Sequence, residues 1–355
     1  MFNKQKSQLG IDIGTSNIKI VQLRPMEGKF VLETYGLVNA AFQMESKDSS
    51  KAVGHTAEIL KALMRKAGVS TDKAVASLPN SVVFTSVIEM PKIPDNELKT
   101  AVEFEAKKYV PLPLEEVALS WSVIEEKKPR LSKDTNLGQI SPELSNKQKI
   151  LLTAVPRVVI DNYVRVFSLA GLSPEALEIE ALSLIRSGVG EDDSTILLID
   201  IGARITSINL VQAGYLRYSK GLNVGGDTVT TSISQSLNVN FARAEQFKKD
   251  FGLSTANNQQ IPQVMRPILD IIKNESQQLI SIFESRGERV DKILLSGAGV
   301  KLPNLSEYFK ALGKPIGLVN PWSHIIYPDI LKPVIEPLGL NLAVAIGLAM
   351  RSEHQ

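Results

Sequence analysis

Asp12 and Asp200 stand in the same word, Ile-Asp-Ile-Gly, at residues 11–14 and again at 199–202. In each copy an apolar run leads into the aspartate, a glycine opens a tight turn, and a second alternating strand leads away (Ile18 and Ile20; Ile205 and Ser207). That pattern predicts two β-hairpins whose turns expose backbone N–H groups. Gly14 admits φ > 0 and close approach of an anion, Thr15 and Ser16 add hydroxyl donors, and Lys19 adds a compact positive charge. The ligand that suits such a turn is a phosphate. A carboxylate beside a phosphate repels it unless a cation lies between them, so Asp12 and Asp200 are expected to hold Mg²⁺ through water. One Asp-x-Gly corner between strands is commonplace. Two that face each other would hold a nucleotide tail from both sides.

The elements that must position these corners follow from periodicity. A third strand is expected at Phe30–Val38, then a polar loop over Met44–Gly54 and a helix over Thr56–Ala67. That helix carries Ile59, Leu60, Leu63 and Met64 on one face, with Gly68 just past its end. Strands are expected at 75–78, 82–90, 117–123 and 150–155, with a helix from Asn96 to Tyr109 capped by Asp95. The charged stretch Lys127–Lys149 reads as a loop, and Val158–Ala170 as a helix. Further on, strands are expected at 175–179 and 215–219 and a helix start at Ala181. Helices are also expected from Asp227, which would cap its own, around Ala244–Lys248, and over Pro262–Arg286, with Ser254–Gln260 a loop. Lys292–Ser296 reads as a buried strand running into Gly297-Ala298-Gly299, where a flat ring or a phosphate could lie against backbone. Asn341–Arg351 reads as a helix of small residues made for close packing, with Gly347 near its middle.

Composition narrows the possibilities. The chain has 355 residues, 43% hydrophobic and 22% charged, enough for two or three domains with a real core. A net charge of +2 without an arginine-rich aromatic face argues against nucleic acid. The absence of cysteine removes disulfides, thiolate metal sites and a cysteine nucleophile, and three scattered histidines (His55, His324, His354) give poor support to a histidine metal site or a Ser/His/Asp triad. The N-terminal residues lack a signal core, and about 18 uninterrupted apolar residues occur nowhere, so a cytosolic protein is expected, with membrane contact only through a partner.

Together these pieces resemble the actin, Hsp70 and sugar kinase superfamily. Asp12, Gly14, Thr15 and Lys19 resemble its first phosphate motif; Asp200, Gly202, Thr206 and Ser207 its second; Gly297, Gly299 and Pro303 its adenosine motif. Gly225, Gly226, Asp227, Glu245 and Lys248 resemble the segments that bacterial actins place around ribose and adenine. Outside those motifs, Leu78-Pro79, the run 108–117 (KYVPLPLEEV), Asn320-Pro321 and the run 341–347 (NLAVAIG) resemble the PilM family, relatives of FtsA. The resemblance implies an α/β, actin-like (ribonuclease H-like) duplicated two-domain ATPase fold with an inserted α+β 1C (SHS2-type) subdomain. The expected divisions are 1–74 (1A, first part), 75–170 (1C), 171–189 (1A continued), 190–335 (2A/2B) and 336–355 (a connecting helix returning to 1A).

The resemblance further implies ATP and Mg²⁺ as ligands and a scaffold role in the type IV pilus platform. The partner it implies is the N-terminal peptide of a PilN-like membrane protein, in a groove between 1A and 1C, and the family adds other platform proteins and self-association. Two departures point to slow or absent hydrolysis rather than lost binding. Glu180, the candidate for orienting the attacking water, is followed by Ala181 where proline is usual. Ala203 and Arg204 replace small or hydroxyl residues in the second turn. An FtsA-like filament tether would add a C-terminal amphipathic helix, where this sequence has Ser352–Gln355. A small-molecule kinase would need a further carboxylate motif between the domains.

Overall fold

The sequence repeat becomes a repeat of topology. The computed structural model describes residues 6–40, 50–124, 146–254 and 260–351. In the first half, β1 (Gln8–Ile13), β2 (Asn17–Met26) and β3 (Lys29–Asn39) form an antiparallel meander, and β4 (Lys73–Leu78) and β8 (Ser173–Ile179) add on in parallel beyond β1. In the second half, β9 (Thr195–Ile201), β10 (Thr206–Gln212) and β11 (Tyr215–Leu222) repeat the meander, and β12 (Lys292–Ser296) and β13 (Ile316–Leu318) repeat the parallel extension. The two sheets run β3-β2-β1-β4-β8 and β11-β10-β9-β12-β13, the same order twice, with β14 (Ile325–Ile326) added outside β3. Their central strands are buried on both faces, which is why strict alternation gives way to continuous apolar runs such as Ile196–Ile199.

Helices cover the sheets. α1 (Ser50–Ala67) and α3 (Arg157–Ala170) pack on the first sheet in one core with Leu9, Ile11 and Ile20. α5 (Gly226–Leu237), α6 (Phe241–Phe251) and α7 (Gln260–Glu284) pack on the second, followed by the short α8 (Leu305–Phe309) and α9 (Lys332–Ile335). A three-stranded antiparallel sheet of β5 (Phe84–Pro91), β7 (Lys147–Pro156) and β6 (Val117–Ile124), with β7 central, interrupts the first half. One of its faces packs on α2 (Asp95–Ala106) through Ile88, Val102, Ile150 and Leu152. Its other face sends Ile124 and Leu151 into the core between the two halves.

Several elements differ from expectation. α1 begins at Ser50, inside the expected polar loop, because Val53, Thr56, Ala57 and Leu60 continue the buried stripe backward; Met44–Ser49 lie outside the described residues. Gly68 ends α1 with φ +70°. α2 starts after Pro94 with no side-chain cap from Asp95 and stops at Ala106. β4 belongs to the first sheet and α3 to its core, so of the 75–170 segment only the strands β5, β6 and β7 with α2 form the separate sheet. The expected loop 127–149 yields to β7 from Lys147, and its residues up to 145 lie outside the described set, as do 255–259 of the expected loop before α7 and the terminal Ser352–Gln355.

Two helices join the halves: α4 (Glu180–Gly188) and α10 (Gly339–Ala349). α10 is buried from Leu342 to Ala349 and crosses α4 so closely that a Cβ on Gly347 would lie 1.9 Å from the Ser183 carbonyl. β1 approaches its other side, where a Cβ on Gly10 would lie 2.0 Å from the Ala345 carbonyl. The small residues therefore set the spacing of the joint. Arg186 ties it off, donating to Glu178 at 2.8 Å and to the Gly347 carbonyl at 2.5 Å. The 21 residues Asp329–Ala349 are long and apolar enough to cross a membrane, but they are broken into short helices, and the most apolar of them is packed inside the protein.

Candidate functional site: a cleft between two matching turns

Each hairpin corner closes with the same bond. The Gly14 N–H donates to the Asn17 carbonyl at 2.9 Å, and the Gly202 N–H donates to the Ile205 carbonyl at 2.9 Å. Neither glycine has positive φ, contrary to the conformational role expected of Gly14. The requirement is space: a Cβ on Gly202 would lie 2.7 Å from the Ile205 carbonyl oxygen.

The corners open on one chamber of about 100 Å³ lined by Asp12, Gly14, Thr15, Ser16, Lys19, Glu180, Asp200, Gly202, Gly297 and Ala298. Here the two halves differ chemically. Lys19 stands opposite Asp12 on the neighbouring strand and pairs with it at 2.7 Å; the residue opposite Asp200 is Ser207. One lysine thus faces three carboxylates. Burial alone would lower the pKa of Lys19, but Asp12, then Asp200 and Glu180, hold it raised. Asp200 is raised by burial, with Asp12 adding to it against Ser296 and Lys19. Glu180, the first residue of α4, is pushed up to about 8 by burial and then by Asp12 and Asp200, so near neutral pH it carries a proton.

A second, larger chamber of about 620 Å³ opens from the first and shares Ser16, Asn17, Gly202, Ala203, Ala298 and Asn341 with it. That volume is typical of small-molecule sites. Its walls include Gly225, Gly226, Asp227, Glu245, Lys248 and Gly299, with Phe241, Leu269, Ile272 and Leu302 as apolar surface. Glu245 and Lys248 pair at 2.6 Å, and Lys248 also donates to Thr230 and to the Gly226 carbonyl. Gly225 lies where a Cβ would meet the Ala203 carbonyl at 2.6 Å, and Gly297, at φ +87°, where one would meet that of Ile201 at 2.4 Å. These glycines let α5 and β12 close onto the second corner.

Of the candidate residues, Thr206 is placed elsewhere: it is fully buried and donates to the Val224 carbonyl at 2.7 Å, while its neighbour Ser207 reaches the chamber. Asp227 does not cap α5; Gly225 occupies the capping position, and the Asp227 carboxylate turns toward the corners. The sequence reading missed Asn17 and Asn341, whose Oδ1 atoms are buried at the chambers without a hydrogen-bond partner among the described residues, and Ser77, which donates to Asp12 at 3.2 Å. Ser77 on β4 and Ser296 on β12 occupy equivalent places beside the two aspartates, a symmetry no local pattern reveals.

The donor set fits a nucleotide with a hydrated cation. Among the described residues no three His, Cys, Asp or Glu side chains converge as a metal cage. Mg²⁺ keeps several waters and takes one or two carboxylates plus phosphates, which matches Asp12 and Asp200 across a chamber with orphaned amide oxygens at its edge.

Duplicated sheets, two joining helices and a cleft between matching corners define an actin-like fold. Solved structures agree: the chain aligns with EutJ from Carboxydothermus hydrogenoformans (TM-score 0.58, 18% identity, 98% of this chain and 90% of that one). It also aligns with a chain of the PilM-PilN type IV pilus biogenesis complex (TM-score 0.82, 24% identity, 98% of both). Among curated relatives, the cell division protein FtsA of Enterococcus hirae is 21% identical over 364 residues, covering 95% of this chain and 78% of the relative. That of Enterococcus faecalis is 23% identical over 306 residues, 79% and 67%. The family model described as Type IV pilus assembly protein PilM matches residues 10–353, and the chain belongs to that family.

Proposed function

We propose that the protein is an ATP-binding scaffold of the type IV pilus assembly platform. In this reading, nucleotide occupancy changes the closure of the two halves and so the binding of a PilN-like N-terminal peptide. The observation that carries it is the pair of identical corners opening on one chamber that holds Asp12, Lys19 and Asp200. The corners' amides, with Thr15, Ser16 and Lys19, would hold the phosphates; Asp12 and Asp200 would hold Mg²⁺ through water, and the larger chamber would take the nucleoside. When bound, Mg²⁺ supplies positive charge that neutralises the phosphates. A solved MreB 5 of Spiroplasma citri bound to AMPPNP has a similar fold (TM-score 0.51, 13% identity), which supports the nucleotide assignment.

Glu180 is the candidate for orienting water. Its protonated state in the free chamber makes it a poor base until a cation lowers its pKa, which favours a slow or silent hydrolase. The peptide would lie in the groove between the first domain and the inserted sheet, whose strand β6 has, among the described residues, β7 as its hydrogen-bonded neighbour and a second edge suited to an extended chain. Contact with the inner face of the membrane would come through that partner. Calorimetric titration of the chain with a PilN-like N-terminal peptide, in Mg·ATP, Mg·ADP and no nucleotide, tests the reading. Unequal affinities are expected, and equal affinities in all three states would remove the switch.

A further inference from the structure

One side chain joins the two corners across the cleft. Asp227 Oδ2 accepts a hydrogen bond from Ser16 Oγ of the first corner at 3.3 Å and lies 3.5 Å from Arg204 Nε of the second. Its position is fixed by its own backbone, because the Asp227 N–H donates to the Ala203 carbonyl at 2.7 Å. Its carboxylate lines the larger chamber where that chamber meets the phosphate corners. The side chains of Arg204 and Asp227 are 46% and 35% exposed, so both are free to exchange partners.

A polyphosphate seated on the two corners needs the donors that Asp227 already holds, and a carboxylate beside it repels it. We infer that Asp227 is a built-in stand-in for the terminal phosphate. In the ligand-free protein it draws the corners together through Ser16 and Arg204. A triphosphate takes both donors over and displaces it, so Asp227 and Arg204 set how strongly the cleft prefers three phosphates to two. Arg204, the bulky departure in the second corner, thereby acquires a role in ligand discrimination. This inference rests on the cleft being a nucleotide site.

The test uses the full chain as wild type, Asp227→Asn and Arg204→Ala, titrated calorimetrically with Mg·ATP, Mg·ADP and adenosine. Removing one like charge at this range corresponds to about one order of magnitude. Asp227→Asn is therefore expected to tighten Mg·ATP about tenfold and Mg·ADP less, and to change adenosine less than either. Arg204→Ala is expected to weaken Mg·ATP relative to adenosine by a similar factor. Equal changes for all three ligands, or none, would overturn the inference. A ligand-free arm keeps the two readings separable. The natural chain has no cysteine, so spin labels at Lys61→Cys and Ala242→Cys report the distance between the halves cleanly. Asp227→Ala, which removes the acceptor that asparagine would keep, should lengthen or broaden that distance, and an unchanged distribution refutes the bridge. If wild type binds neither adenosine nor nucleotide, the nucleotide reading fails and the distance arm alone decides the bridge.

Discussion

Replacing Glu180 by glutamine should stabilise the ligand-free protein at alkaline pH and do nothing at acid pH. Glu180 has an ordinary pKa of 4.5 when unfolded and about 8 in the chamber. A carboxyl whose folded pKa is raised binds its proton more tightly in the native state. Its contribution is therefore complete below about 4.5 and is lost progressively as pH rises toward 8. At about 1.36 kcal/mol per pH unit, the full interval would amount to roughly 4–5 kcal/mol. The carboxyl faces a chamber open to water, which screens it, so a loss on the order of 2–4 kcal/mol between pH 5 and pH 8.5 is expected. Glutamine keeps the shape and hydrogen-bonding capacity of the neutral acid and has no proton to lose. Urea unfolding followed by the fluorescence of Trp121 and Trp322, in chelator, from pH 5 to 9, should give midpoints for wild type that fall relative to Glu180→Gln as pH rises. The raised Asp200 adds a slope of the same sign to both proteins, so the difference between them isolates Glu180. Added Mg²⁺ should flatten the wild-type curve by favouring the carboxylate. Parallel curves for the two proteins would refute the assignment of the proton to Glu180.

Two further substitutions probe how the site is built, and a third probes the joint beneath it. Gly202→Ala places a Cβ against the Ile205 carbonyl and should abolish binding of Mg·ATP in calorimetry, whereas Thr206→Val should cost about 1–2 kcal/mol of stability and leave affinity unchanged, since its hydroxyl serves Val224. Gly347→Val should force α10 off α4 and cost about 3 kcal/mol or more in thermal or urea unfolding, and a neutral outcome would mean that the crossing adjusts easily.

Local pattern carried the two corners, the hairpins around them and the amphipathic helices, because each depends on residues within a few positions of one another. Asp12 with Lys19 was legible for that reason: a tight hairpin leaves those two residues opposite each other. What the chain alone could not determine lies where distant segments meet. Ser77 and Ser296 come to lie beside the aspartates because β4 and β12 pair in parallel with β1 and β9, and parallel pairing across a long connection leaves no mark in local sequence. Thr206 and Ser207 are both hydroxyl residues at adjoining strand positions, and only the sheet's final faces decide that the first is buried against Val224 and the second faces the chamber. Glu180 is an ordinary glutamate by sequence; its proton belongs to the fold, which sets the carboxyl into the wall of the chamber beside two other carboxylates with one lysine among them.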